Sequence, residues 1–245
     1  MELVDNDFAG RVPGVNDSVR LFVAGDSVGQ TLGEHYFSAR QTLGLDAFKY
    51  TSQVTLGCGA VVAELAEPSY RPGYVETCAG ASERIVPRIR SFRPDITALV
   101  FGAWEVVDWR VDGTVVEPGS PEHDELLRQS FADIIEPTLE TGSRVLLLEL
   151  PCMGQGDTPA PVPERLDSGR VVAVNRILAE FATADERVDL FNTGELLCPD
   201  GSYEHVRGGI VDRYDGVHYT VEGATRVWAE LDAAINRMFP DTAAN

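Results

Sequence analysis

Four short stretches carry residue types that could do chemistry. The first is Gly25-Asp26-Ser27, directly after the apolar run Leu21-Phe22-Val23-Ala24 and before a stretch with helical spacing. A serine at such a turn exposes its hydroxyl with a helix N-terminus behind it, and its own N–H can face a developing oxyanion. The same tripeptide also fits plain helix capping by Asp26 or Ser27. The second is Asp215 and His218, three apart and just before the last helical stretch. A nucleophilic serine needs a base, and the base needs a carboxylate to fix its tautomer. Asp212, Asp215 and His218 could instead begin a metal site, but such sites recruit further ligands, and His35, His123 and His205 show no matching spacing. The third is Gly57-Cys58-Gly59. Glycine lets a backbone approach a substrate closely, so the Gly59 N–H is a candidate second oxyanion donor, unless the segment is only a tight turn. The fourth, Gly102-Ala103-Trp104-Glu105, offers Trp104 and Glu105, with Trp104 equally suited to a core or a cleft wall.

These stretches need a frame that brings them together. The apolar patterning predicts strands over residues 19–24, 48–56, 96–101, 144–150 and a short fifth at "RVDLFN". Between them, helical periodicity is predicted over 28–40, 82–92, 121–140 and 166–183, with a last helix over 221–238. Pro87 is expected to shorten or kink its helix, and Pro137 to disturb a last turn. Strands two to four alternate little and are separated by helices, which is the pattern of an α/β fold with a parallel sheet covered on both faces. The candidate loops 25–29, 57–60, 102–120, 151–163 and 192–219 all, but for part of the last, follow the carboxyl end of a predicted strand, where ligands bind in open α/β sheets.

The 245 residues fit one large domain, expected over 19–240, with an N-terminal extension or linker at 1–18 and a tail at 241–245. No apolar run is long enough to span a bilayer, so no membrane insertion by this chain is expected. A net charge of −19, from 39 acidic and 20 basic residues, disfavours nucleic acid and anionic surfaces as partners. Cys58, Cys78, Cys152 and Cys198 form no C-x-x-C motif. From spacing alone, two disulfides and four buried thiols fit equally.

Taken in order, Gly-Asp-Ser near the start, a glycine after the second strand, Gly-x-x-acid after the third and Asp-x-x-His before the last helix resemble the SGNH/GDSL hydrolase superfamily. The resemblance runs across nearly the whole chain. It implies a three-layer α/β/α sandwich with a five-stranded parallel sheet in the order 2-1-3-4-5, a flavodoxin-like arrangement. It further implies Ser27 as nucleophile, His218 as base, Asp215 as its partner, an oxyanion hole from the N–H groups of Ser27 and Gly59, and no cofactor or metal. Asp26, Trp104 and Glu105 become substrate-binding candidates. One block departs: the family has an Asn, a third oxyanion donor, where this chain has Trp104. Either the indole N–H donates instead, or Trp104 is a wall on which an acceptor sugar stacks; the width of an indole favours the wall.

The wording "WEVVD", with "GCG" before it and "LCPDG…RYDGVHYT" after it, is similar to the extracytoplasmic SGNH domains attached to membrane acyltransferase-3 proteins, which O-acylate surface sugars. That resemblance implies Cys58–Cys78 and Cys152–Cys198 disulfides, a carbohydrate or small acyl-ester substrate, a membrane acyltransferase domain as partner and an extracytoplasmic location; a free-standing chain would be cytoplasmic. It implies acyl transfer, with O-acetyl the expected group, through an acyl-Ser27 intermediate. A free-standing esterase or carbohydrate deacetylase and a non-catalytic carbohydrate-binding domain are the alternatives.

Overall fold

The computed structural model describes residues 18–45, 48–158 and 162–239. All but the last residue of the expected N-terminal extension, and the whole expected tail, lie outside the described residues. Five parallel strands form the central sheet: β1 (Arg20–Gly25), β2 (Lys49–Val54), β3 (Ile96–Val100), β4 (Arg144–Leu148) and β5 (Val188–Phe191). They lie in the order 2-1-3-4-5 when the sheet strands are counted alone. The chain reverses direction across the sheet between β1 and β3, so the loops after these two strands open a crevice at the carboxyl edge.

Alternation along the strands builds one core on each face. Leu21 and Val23 of β1, with Ile96, Leu146 and Leu148, pack against α1 (Ser27–Glu34), α2 (Tyr36–Leu43) and α8 (Val221–Met238). There the buried Trp228 indole donates to the Leu32 carbonyl at 2.8 Å. Phe22, Leu99 and Leu147 point the other way. They meet α4 (Ala81–Phe92), α5 (Pro121–Leu139) and α6 (Ser168–Ala184), the helices that cover the opposite face. Two short helices, α3 (Tyr74–Cys78) and α7 (Thr193–Leu197), sit in the connecting loops.

Two local expectations are corrected. The helix predicted over 28–40 is two helices that break at His35, just after Gly33. Gly33 is a weak helix former held there by contact, because a Cβ on it would lie 2.2 Å from the Tyr50 hydroxyl. Pro87 does not shorten α4, which runs through it for 12 residues. Pro87 and Glu83, whose carbonyl loses its helical partner, are both exposed, so water can satisfy the freed group. Pairing between Glu64–Leu65, Trp109–Val111 and Thr114–Val116, and a hairpin of Val206–Arg207 with Ile210–Val211, were not legible from alternation over so few residues. No described helix is long and apolar enough to cross a membrane.

Candidate active site

The turn after β1 is set by close packing. A Cβ on Gly25 would lie 2.1 Å from the Val100 carbonyl oxygen, so only glycine lets β1 end this close to β3. Asp26 then caps α1, its Oδ1 accepting the Val28 N–H at 2.8 Å. Ser27 is thereby the first residue of the helix, and its N–H is among those that lack an intrahelical acceptor. Asp26 is fully buried, and its Oδ2 has no hydrogen-bond partner. It therefore serves the turn and is not open to substrate, contrary to the sequence expectation. Burial raises its pKa, against the Val28 N–H and the Arg165 charge.

The segment 212–220 brings Asp215 and His218 to the same edge from far along the chain. Arg213 and Tyr219 form a β-bridge, the Tyr214 N–H donates to the His218 carbonyl at 3.2 Å, and Gly216 takes φ 86°. The Asp215 Oδ1 accepts the N–H groups of Val217 and His218 at 2.9 and 2.8 Å. Its Oδ2 lies 2.6 Å from His218 Nδ1. His218 Nε2 lies 2.7 Å from Ser27 Oγ. With Asp215 ionised, Nδ1 carries the proton and Nε2 accepts the serine hydroxyl. Burial alone would raise the Asp215 pKa, but the His218 ring and the two backbone donors together hold it down to about 2. All three side chains are only partly buried, so the group opens to solvent at the sheet edge.

This segment is clamped from behind. The Tyr219 N–H donates to Thr31 Oγ1 of α1 at 3.2 Å, and Thr220 caps α8 by accepting the Gly223 N–H at 3.0 Å. The buried Arg213 guanidinium donates to the Cys152 carbonyl. It lies 3.9 and 3.8 Å from the sulfurs of Cys152 and Cys198, which are bonded to each other. Cys58 and Cys78 form the second disulfide. Asp212, the further residue of the rival metal reading, lies 3.2 Å from both Arg207 and Arg226.

The two glycine-bearing blocks behave differently from expectation. The Gly59 N–H donates to the Tyr74 hydroxyl at 2.8 Å, and that hydroxyl donates to the Val61 carbonyl at 2.9 Å. Gly59 is therefore not an open oxyanion donor: its N–H is already satisfied inside the fold. Its lack of a side chain instead makes room for Glu105, whose Oε1 would lie 2.2 Å from a Cβ there. Glu105 is fully buried and accepts the Ala60 N–H at 2.6 Å, while its Oε2 has no partner. Burial and then the nearby Asp26 carboxylate raise its pKa to about 7. Trp104 is only 7% exposed, with Tyr74 at 5.3 Å on one side and the Arg165 guanidinium 4.8 Å over its ring. It is core, not a wall for a sugar, and Glu105 is equally closed to a ligand.

Arg165 is the residue that sequence reasoning missed. It sits in a short 3-10 turn, Pro163–Leu166, buried, with Nε donating to the Ala103 carbonyl at 2.7 Å. Burial lowers its pKa, opposed by the charges of Asp26, Asp215 and Glu105, so it is the cation among the site's carboxylates. An arginine in a Pro-rich loop carries no periodic signal that would have placed it there.

No family model and no curated protein matches the chain. Solved structures do. The chain is similar to an aryl esterase from M. smegmatis, with TM-score 0.59 and 13% identity over 90% of this chain and 99% of that one. It is similar to Est24, a carbohydrate acetylesterase from Sinorhizobium meliloti, with TM-score 0.59 and 15% identity over 90% and 100%. A GDSL-like lipase from Bacteroides thetaiotaomicron aligns with TM-score 0.53 and 14% identity over 90% and 87%. At these identities the likeness shows the fold: a three-layer α/β/α sandwich of the kind found in SGNH/GDSL hydrolases.

Proposed function

We propose that the chain is a serine enzyme of the SGNH/GDSL type that moves O-acyl groups, acetyl foremost, on carbohydrate. The observation that carries this reading is the unbroken line Ser27 Oγ, His218 Nε2, His218 Nδ1, Asp215 Oδ2, with contacts of 2.7 and 2.6 Å. His218 takes the Ser27 proton as Oγ attacks the ester carbonyl. The tetrahedral oxyanion forms beside the Ser27 N–H at the N-terminus of α1, and collapse expels the sugar oxygen, which takes the proton from His218. The acyl-Ser27 ester then passes its acyl group to a second hydroxyl, for which His218 again acts as base. Asp215 remains ionised and holds the ring.

If that second hydroxyl belongs to a sugar, the chain is an acyltransferase, as its likeness to SGNH domains of membrane acyltransferases suggests. If it is water, the chain is an esterase. The carbohydrate acetylesterase among the similar structures favours this second reading. The two disulfides are in keeping with an extracytoplasmic setting.

The test is labelling by a fluorophosphonate. Ser27 is expected to be the one serine labelled rapidly, Ser27→Ala to abolish the label and His218→Ala to slow it about 10²-fold or more. Rapid labelling that survives Ser27→Ala would sink the assignment. Product analysis of an acetylated sugar, with and without a second sugar as acceptor, separates transfer from hydrolysis.

A further inference from the structure

With Asp26, Trp104 and Glu105 all buried, a sugar needs another surface beside the triad. Tyr214 offers one. Its ring stacks on His218 with centroids 5.8 Å apart and planes 18° from parallel, yet the residue is 44% exposed. The imidazole lies against one face of the ring, and the residue still presents much of its surface to solvent. Asp157 stands next to it. The Asp157 N–H donates to the Tyr214 carbonyl at 2.8 Å, and a Cβ on the intervening Gly156 would lie 2.4 Å from that same oxygen, so the two backbones touch. The Asp157 carboxylate is 73% exposed. One of its oxygens lies 3.0 Å from His205 Nε2, and His205 Nδ1 lies 2.9 Å from the Tyr203 hydroxyl. The carboxylate is thus oriented, and among the described residues its second oxygen has no hydrogen-bond partner.

An exposed aromatic ring and an oriented carboxylate, carried on two segments whose backbones touch, suit a particular chemistry. The apolar C–H face of a pyranose covers the ring, and neighbouring hydroxyls donate to the carboxylate. We propose that Tyr214 and Asp157 form the carbohydrate subsite, holding a neutral sugar so that its O-acyl group or free hydroxyl reaches Ser27 and His218. This deepens the proposed function and rests on it for the direction in which the sugar is presented. Neutral sugar is favoured over acidic polysaccharide because the chain carries a net charge of −19.

The experiment measures binding without turnover. Ser27→Ala protein is titrated calorimetrically with a panel of O-acetylated neutral oligosaccharides (xylo-, manno- and gluco-configured). Tyr214→Ala, Tyr214→Phe, Asp157→Asn and Phe37→Ala are then added singly, each checked for a wild-type melting profile. Tyr214→Ala is expected to weaken binding about tenfold, equivalent to ~1.4 kcal/mol. Tyr214→Phe keeps the face and is expected to bind within about twofold of the parent, and Asp157→Asn to lose about fivefold. Phe37, 64% exposed on α2, controls for loss of any surface aromatic, and its variant is expected to bind as the parent does. Saturable binding to no member of the panel, equal binding by Tyr214→Ala, or equal losses in Tyr214→Ala and Phe37→Ala would each overturn the subsite. If Tyr214→Ala should prove unfolded, Asp157→Asn decides on the same terms. Because Ser27 is already removed, failure of the subsite and failure of the triad are separate results: the second is read only from fluorophosphonate labelling.

Discussion

Replacing Glu105 by Gln should change how stability depends on pH, and the structure fixes the sign. Glu105 is buried among Asp26, Tyr74 and Arg165, with Oε1 on the Ala60 N–H and Oε2 unpartnered. Burial first, and the Asp26 charge second, move its pKa from 4.5 to about 7. The folded state therefore keeps a proton that the unfolded chain gives up. The stability this group contributes is complete below 4.5 and is lost as the pH rises through about 7. The slope is about 1.4 kcal/mol per pH unit, so the loss between about pH 5 and about pH 8 is about 2–3 kcal/mol. Glutamine keeps the acceptor for Ala60, matches the shape and does not ionise. Urea unfolding of both proteins with disulfides intact, at about pH 5 and about pH 8, measures the effect. The difference between Glu105→Gln and wild type should shift by about 2–3 kcal/mol in favour of the variant at the higher pH. An identical difference at both pH values would show that Glu105 ionises freely in the fold, and the buried carboxylate pair would have to be abandoned.

Two further outcomes are expected. Gly156→Ala places a Cβ 2.4 Å from the Tyr214 oxygen and 2.6 Å from the Asp215 carbonyl carbon, so the base segment must shift; fluorophosphonate labelling should fall about 10²-fold while circular dichroism stays native. Non-reducing peptide mapping should recover Cys58–Cys78 and Cys152–Cys198; bridging residues 20 and 46 apart, they should contribute about 3 and about 4 kcal/mol to stability on a loop-entropy basis, read as urea midpoints of the paired Ala variants.

How far the site could be read from sequence follows from what each residue does. That Ser27, Asp215 and His218 come together was legible because each is a particular side chain next to a particular turn, and the structure brings the three within hydrogen-bond distance. Three of the sheet strands, β1, β3 and β4, were legible because burial on both faces leaves an apolar run. The rest depended on partners that spacing does not reveal. Gly59 looks like a donor site until Tyr74, fifteen residues on in a loop, takes its N–H. Trp104 looks like a sugar platform until Arg165 covers its ring. The aromatic that does face solvent, Tyr214, sits in the Asp-x-x-His block itself, where attention to the triad concealed it. His35 and Pro87 misled for a related reason: helix continuity was decided by Tyr50 and by solvent, not by local propensity.

Ser27 and His218 touch although they lie 191 positions apart in sequence, one just after the first strand of the sheet and the other in the last loop before the closing helix. The contact forms only when these two distant parts of the chain have met. A ribosome that has released the first four strands has not yet supplied His218. If Ser27 is the nucleophile proposed above, a chain cut anywhere between the two residues keeps its activity only if its halves stay together. On that same reading, reactivity of Ser27 doubles as a census of folding: in a mixed population, the labelled fraction counts chains whose topology has closed.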